Sequence, residues 1–156
     1  MISNITTENA CGPALVPMWS MSGLRSLLGI NEDKILNLID QNRLPWAFDF
    51  GLGNRLELRL MPQSAAAYQA GTACALSWED VEKLFVPGLR DTRPGIVAKV
   101  TGLFIQRACN ISCTHLASLI ECGQIQAARQ GRSGKGNSTE ITAASFFDFL
   151  KRKRFR

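Results

Sequence analysis

Four candidate metal ligands crowd one short stretch of this 156-residue chain: Cys109, Cys113, His115 and Cys122. Thiolate and imidazole are the groups that hold zinc, and a tetrahedral site needs four of them around one ion. The spacing C-x3-C-x-H-x6-C works against that. Leu116, Leu119 and Ile120 mark the apolar face of a helix. On that helix Cys113 is expected to face inward with Leu116, while His115 and Cys122 lie round the other side. Four ligands converge only if the helix breaks, so no metal is expected. The same geometry parts the thiols from the only histidine, which argues against a cysteine nucleophile served by a base.

A second chemical candidate is the run GRSGKGNST from Gly131 to Thr139. A phosphate loop needs G-x-x-x-x-G-K-[ST] between a strand and a helix. Here Arg129 stands at the first glycine position and Gly136 follows Lys135. The motif fails at both points, and a basic turn is the better reading. With no acid/base or nucleophile cluster left, the sequence predicts a protein that is not an enzyme and uses no cofactor.

What remains is positive charge. Residues 1–78 hold five Lys/Arg against six Asp/Glu, and residues 79–156 hold thirteen against seven. The whole net charge of +5 therefore resides in the second half, the footprint of a surface that binds a polyanion. Its densest part is the end, KRKRFR, where Lys151, Arg152, Lys153, Arg154 and Arg156 can follow phosphates and Phe155 can stack.

The elements that must position these groups repeat. Leu27–Ala47 lies over Ala108–Ala128 without a gap, at an offset of 81 positions. Ile35 falls on Leu116, Leu38 on Leu119, Ile39 on Ile120 and Leu44 on Ile125, one buried helix face written twice. Asn31 and Ser112 are N-caps, because their side-chain oxygens can accept an orphan backbone N–H. Asn42 and Gly123 stop the two helices, being residues that tolerate a left-handed backbone. A shorter helix precedes each, turning at Gly29-Ile30 and Asn110-Ile111. Beyond the first stop, Phe48 and Phe50 alternate, GLGN turns the chain, and Leu56, Leu58 and Leu60 alternate back as a hairpin. Final helices follow, after Pro62 and in SFFDFLKR. Between the copies, Ser77 and Asp80 form a capping box, and Val81, Leu84 and Phe85 give a bridging helix ended by Pro87-Gly88.

Helix, turn, helix, hairpin, helix is the order of a winged helix. The run from Gly23 to Tyr68, with Asn42-Arg43-Leu44-Pro45 and Arg55-Leu56-Glu57-Leu58-Arg59, resembles the excisionase-like and MerR-like winged helix-turn-helix proteins. The second copy, over residues 97–150, resembles them more loosely. The resemblance implies duplex-DNA binding, with the second helix of a unit in the major groove and the hairpin wing along the backbone. It implies transcription control or steering of recombination in a mobile element.

The expected fold class is mainly α with small β-hairpins (α+β), as two tandem winged helix-turn-helix units. The expected division is an N-terminal arm (1–17), unit 1 (18–70), a bridging helix and linker (71–94), unit 2 (95–150) and a basic tail (151–156). Residues expected on DNA are Thr114, His115 and Ser118 of the second recognition helix and Arg129, Arg132 and Lys135 of its wing. The tail adds Lys151, Arg152, Lys153 and Arg154, and unit 1 adds Lys34, Asn37, Arg55 and Arg59. Asp33 and Asp40 on the first recognition helix would repel phosphates, so unit 2 is expected to carry most of the affinity. Unit 1 then becomes a candidate surface for a homodimer or another protein partner. The alternative reading is a protein-interaction adaptor or a phage packaging or anti-repressor-type subunit. RNA binding ranks lower, for want of exposed aromatic pairs on strands. The polar start lacks the charged and apolar regions of a signal peptide. With an odd number of cysteines, five, and no span of about 18 apolar residues, the sequence predicts a cytoplasmic protein with no membrane partner.

Overall fold

The computed structural model describes residues 16–90, 93–129 and 139–155, with the backbone alone at Arg90 and Arg129. The fold is α+β. The first half runs β1 (Trp19–Ser20), α1 (Met21–Leu28), α2 (Glu32–Asp40), β2 (Ala47–Asp49), β3 (Leu58–Leu60) and α3 (Pro62–Ala70). A short α4 (Trp78–Lys83), a 3-10 turn (Val86–Gly88) and β4 (Leu89–Arg90) lead onward. The second half runs β5 (Lys99–Thr101), α5 (Gly102–Cys109), α6 (Cys113–Glu121), β6 (Ala127–Arg129), β7 (Glu140–Thr142) and α7 (Ala143–Lys153).

The halves correspond down to single hydrogen bonds. Ser20 Oγ accepts from Gly23 N–H, and Thr101 Oγ1 from Phe104 N–H, so each first helix is capped alike. Gly29 (φ 66°) and Asn110 (φ 57°) take the left-handed conformation between the two helices. Asn31 Oδ1 then accepts from Lys34 N–H at 2.9 Å, and Ser112 Oγ from His115 N–H at 3.0 Å. Each such cap is worth about 1 kcal/mol. At the far ends Asn42 (φ 59°) and Gly123 (φ 76°) reverse the chain. Arg43 N–H reaches Leu38 O at 2.8 Å, and Gln124 N–H reaches Leu119 O at 2.9 Å. The caps and stops expected at Asn31, Ser112, Asn42 and Gly123 all form.

Among the described residues two antiparallel sheets result, ordered β1-β3-β2 and β4-β5-β7-β6. Each holds more than the expected hairpin. Trp19 pairs with Leu60 at the start of the first sheet. Leu89 and Arg90, expected in a linker, pair with Val100 and Lys99 on the edge of the second. The expected capping box at Ser77 and Asp80 is present and starts α4. At the tip of the first hairpin a Cβ on Gly51 would collide with the Arg55 carbonyl oxygen, so only glycine fits there.

Burial explains how the halves meet. Leu24, Ile35, Leu38, Ile39, Leu44, Leu58 and Leu60 form a small core between the helices of the first half and one face of its sheet. The other face of that sheet is covered too. Trp46, Phe48 and Phe50 join Val81, Phe85, Ile105, Phe146 and Phe149 in a larger core shared with the second half. Strand β2 is thus buried on both sides, Ala47 facing one core and Phe48 the other. A fully buried Phe contributes roughly 1.5–3 kcal/mol. Phe50 meets Phe149 edge to face, with ring centroids 5.1 Å apart.

The chain end also differs from expectation. Helix α7 continues through Lys153, so Lys151, Arg152 and Lys153 are helical, not a tail. Arg154 forms an antiparallel bridge to Phe48, and Phe155 N–H donates to the Ala47 carbonyl at 2.8 Å. These last residues extend the free edge of β2, which would otherwise offer unpaired backbone groups. Residues 1–15 of the arm, and Arg156, lie outside the described residues.

Candidate nucleic-acid interface

Helices α2 and α6 are the rods on which base-reading groups were expected. On α2 the inward stripe of Ile35, Leu38 and Ile39 is buried, and Lys34 and Asn37 are exposed on the opposite face beside Asp33 and Asp40. On α6 Leu116 and Leu119 are buried and Thr114 is exposed. Ser118 is half-buried, and its hydroxyl donates back to the Thr114 carbonyl at 3.1 Å.

His115 points elsewhere. Its Nε2–H donates to the Phe50 carbonyl at 2.7 Å, so the imidazole ties α6 to the first hairpin and not to an outer ligand. Arg59 is a similar correction. It sits on the side of β3 that faces the second half, and its Nε–H donates to the carbonyls of Cys109 (3.0 Å) and Asn110 (3.1 Å). Its Nη1 reaches Leu58 O at 2.8 Å and Glu57 at 3.4 Å, with 12% of the side chain exposed. The guanidinium serves the seam between halves. Arg55, at the hairpin turn, is exposed.

The second hairpin is described only at its base. Arg129 is seen as backbone in β6, and Arg132 and Lys135 lie outside the described residues. Strand β6 is irregular between Ala127 and Arg129, where two residues are accommodated against the regular run of β7. Of the basic end, Arg152 is exposed but donates to the Gln124 carbonyl at 2.7 Å. Lys151 lies over the Trp78 ring at 5.7 Å, and Lys153 is half-buried. Arg154 stacks on Trp46, its guanidinium carbon 3.7 Å from the ring centroid. Burial lowers the Arg154 pKa from its usual value.

Exposed cations outside the expected set include two beside the turns of the repeat. Arg25 and Arg107 stand in the last turns of α1 and α5, just ahead of the left-handed residues. Arg25 borders a shallow hollow with Ser22, Ser26 and Asn31. The signal was present in the sequence: each is a cation on a predicted helix beside the turn of the repeat.

Cys113 is exposed, not packed with Leu116 as the helical spacing suggested. It is the first residue of α6, where the apolar stripe has run past the core and ends in solvent. Among the described residues Cys109 is the fully buried thiol, and burial pushes its pKa up, with nearby Arg59 acting in the opposite direction. Among the described residues no three His, Cys, Asp or Glu side chains stand together. No helix among them is long and apolar enough to cross a membrane. No protein-family model, curated protein or solved structure matches the chain.

Proposed function

We propose that this chain is a sequence-selective double-stranded DNA-binding protein of two tandem winged helix-turn-helix units. It would act without a cofactor or catalysis, as a transcription regulator or a recombination directionality factor. The observation that carries this reading is the twofold occurrence of one local device. A short helix, a left-handed residue (Gly29, Asn110) and a second capped helix (from Asn31, from Ser112) recur in register. That device sets a rod against a fixed support with its polar face outward, as major-groove reading requires. Thr114 and Ser118 on α6, and Lys34 and Asn37 on α2, are the groups proposed to meet base edges and phosphates. Arg25, Arg55 and Arg107 join them as phosphate contacts, and Arg129, with Arg132 and Lys135 outside the described residues, is proposed to add further phosphate contacts. Arg59 and His115 drop out of the reading set because their donors are already used within the chain.

The test is fluorescence anisotropy of a labelled duplex over a salt series. Each phosphate contact should contribute about −0.9 to the slope of log K against log salt. Absence of binding at low salt would end the DNA reading. A specific observation favours a second reading in that event: Glu32, Asp33 and Asp40 are exposed on α2 beside one Lys34. An acidic rod of that kind suits a basic protein partner, in an adaptor or packaging subunit.

A further inference from the structure

A cleft of about 500 Å³ opens where the ends of α2 and α3 meet the residues that follow α7. Its volume falls in the usual range for small-molecule sites, roughly 300–1,000 Å³. Arg43 and Arg154 line it from opposite halves of the chain, with Trp46, Tyr68, Thr72 and Cys74 among the other walls. Among the described residues no aspartate or glutamate lines it.

The two guanidinium groups are prepared for an oxyanion. The Arg154 guanidinium carbon approaches the Trp46 ring centroid to 3.7 Å, and that of Arg43 stands 5.5 Å from the Tyr68 centroid. A guanidinium held on a ring keeps its in-plane N–H groups free for a forked contact with phosphate or carboxylate. Neither arginine has an ion-pair partner among the described residues. Arg154 Nε is buried with no hydrogen-bond partner among the described residues, so that one N–H is desolvated without a hydrogen bond to compensate. The C-terminus of α3 points a partial negative charge this way. Its closing carbonyls are taken, however: Tyr68 O accepts from Gly71 N–H at 3.1 Å, and Ala67 O from Thr72 N–H at 2.9 Å. Trp46 holds a left-handed backbone (φ 67°), a conformation that bulky residues rarely adopt and that collects at functional sites.

We infer that this cleft binds a phosphate group, clamped between Arg43 of the first half and Arg154 beyond α7. The group can come from a free phosphomonoester or from a nucleic-acid backbone. In the first case the site is independent of the DNA reading, and in the second it deepens it. Because one cation arrives from each half, the bound anion would also lock the seam.

Thermal unfolding of the full chain separates the outcomes, with sodium phosphate set against sodium chloride of equal ionic strength. Phosphate at about 100 times its Kd should raise Tm by roughly 5–10 °C. Arg43→Gln should abolish that rise and lower the Tm without phosphate by no more than about 4 °C, since Arg43 is exposed, lies outside both cores and gives up only its contact with Tyr68. That result supports the site with a free phosphate as ligand. If inorganic phosphate gives no rise but Arg43→Gln lowers the salt slope of duplex binding by about one, the site stands with DNA phosphate as its ligand. A rise of equal size in wild type and Arg43→Gln overturns the inference. So does the absence of any effect in both assays.

Discussion

The two hairpins occupy equivalent places in the repeat and have opposite fates. In the first, Ala47 pairs with Leu60 and Phe48 with Arg59. In the second, Ala127 pairs with Ile141 and Arg129 with Glu140. The position that is Phe48 in one copy is therefore Arg129 in the other, and Arg59 corresponds to Glu140. The first hairpin gives its outer face to the second half, where Phe48 and Phe50 are fully buried. At the register positions of Phe48 and Arg59 the second pairs Arg129 with Glu140. One backbone plan thus supplies both a seam and a candidate contact surface, and side-chain choice at two positions separates the roles.

The largest effect should come from breaking the seam. Phe50→Ala should cost about 3–5 kcal/mol in denaturant unfolding, because it empties space beside Phe149 in the shared core. A loss below about 1 kcal/mol would mean that the halves are not held together there. Next, the triple change Arg129→Ala, Arg132→Ala, Lys135→Ala should flatten the salt slope of duplex binding by about 2.7. Arg55→Ala in the first hairpin should flatten it by no more than about 0.9. The reverse ranking would transfer the contact surface to the first hairpin.

Arg59→Met should destabilise by about 1.5–3 kcal/mol, since it strips donors from carbonyls of the other half. Glu140→Ala, at the matching position, should stay within about 0.5 kcal/mol. The buried thiol gives a pH signature. Cys109 has a raised pKa when folded and returns to the ordinary thiol range, about 8.5, when unfolded. Its contribution is complete below that pH and falls by about 1.4 kcal/mol per pH unit above it. Cys109→Ala should remove that part of the alkaline slope. Losses smaller than those at Phe50 and Arg59 test the repeat itself. Asn31→Ala and Ser112→Ala should each cost about 1 kcal/mol, and the two losses should be alike.

Local devices were legible in the sequence because a few neighbouring residues determine them. The caps at Asn31 and Ser112 and the stops at Asn42 and Gly123 each close hydrogen bonds within five positions. The seam was not legible. Phe48 and Phe50 read as one face of a hairpin, but periodicity cannot show that Ala47 on the opposite face would be buried as well. Strands β1 and β4 have two residues each, too few to show any alternation. His115 and Arg59 looked like outward polar groups because their acceptors, Phe50 O and Cys109 O, lie far along the chain. The KRKRFR run reads as a solvated charge cluster. Its use of Trp46 and Trp78 as ring partners for Arg154 depends on the docked halves.

The bond from Phe155 N–H to the Ala47 carbonyl has a kinetic consequence. Contacts between distant parts of a chain form late and slow folding. During synthesis the edge of β2 must wait, uncovered, until almost the last described residue has been made. A nascent chain halted before α7 would expose Phe50, which packs on Phe149, and an open strand edge together, the combination that invites self-association.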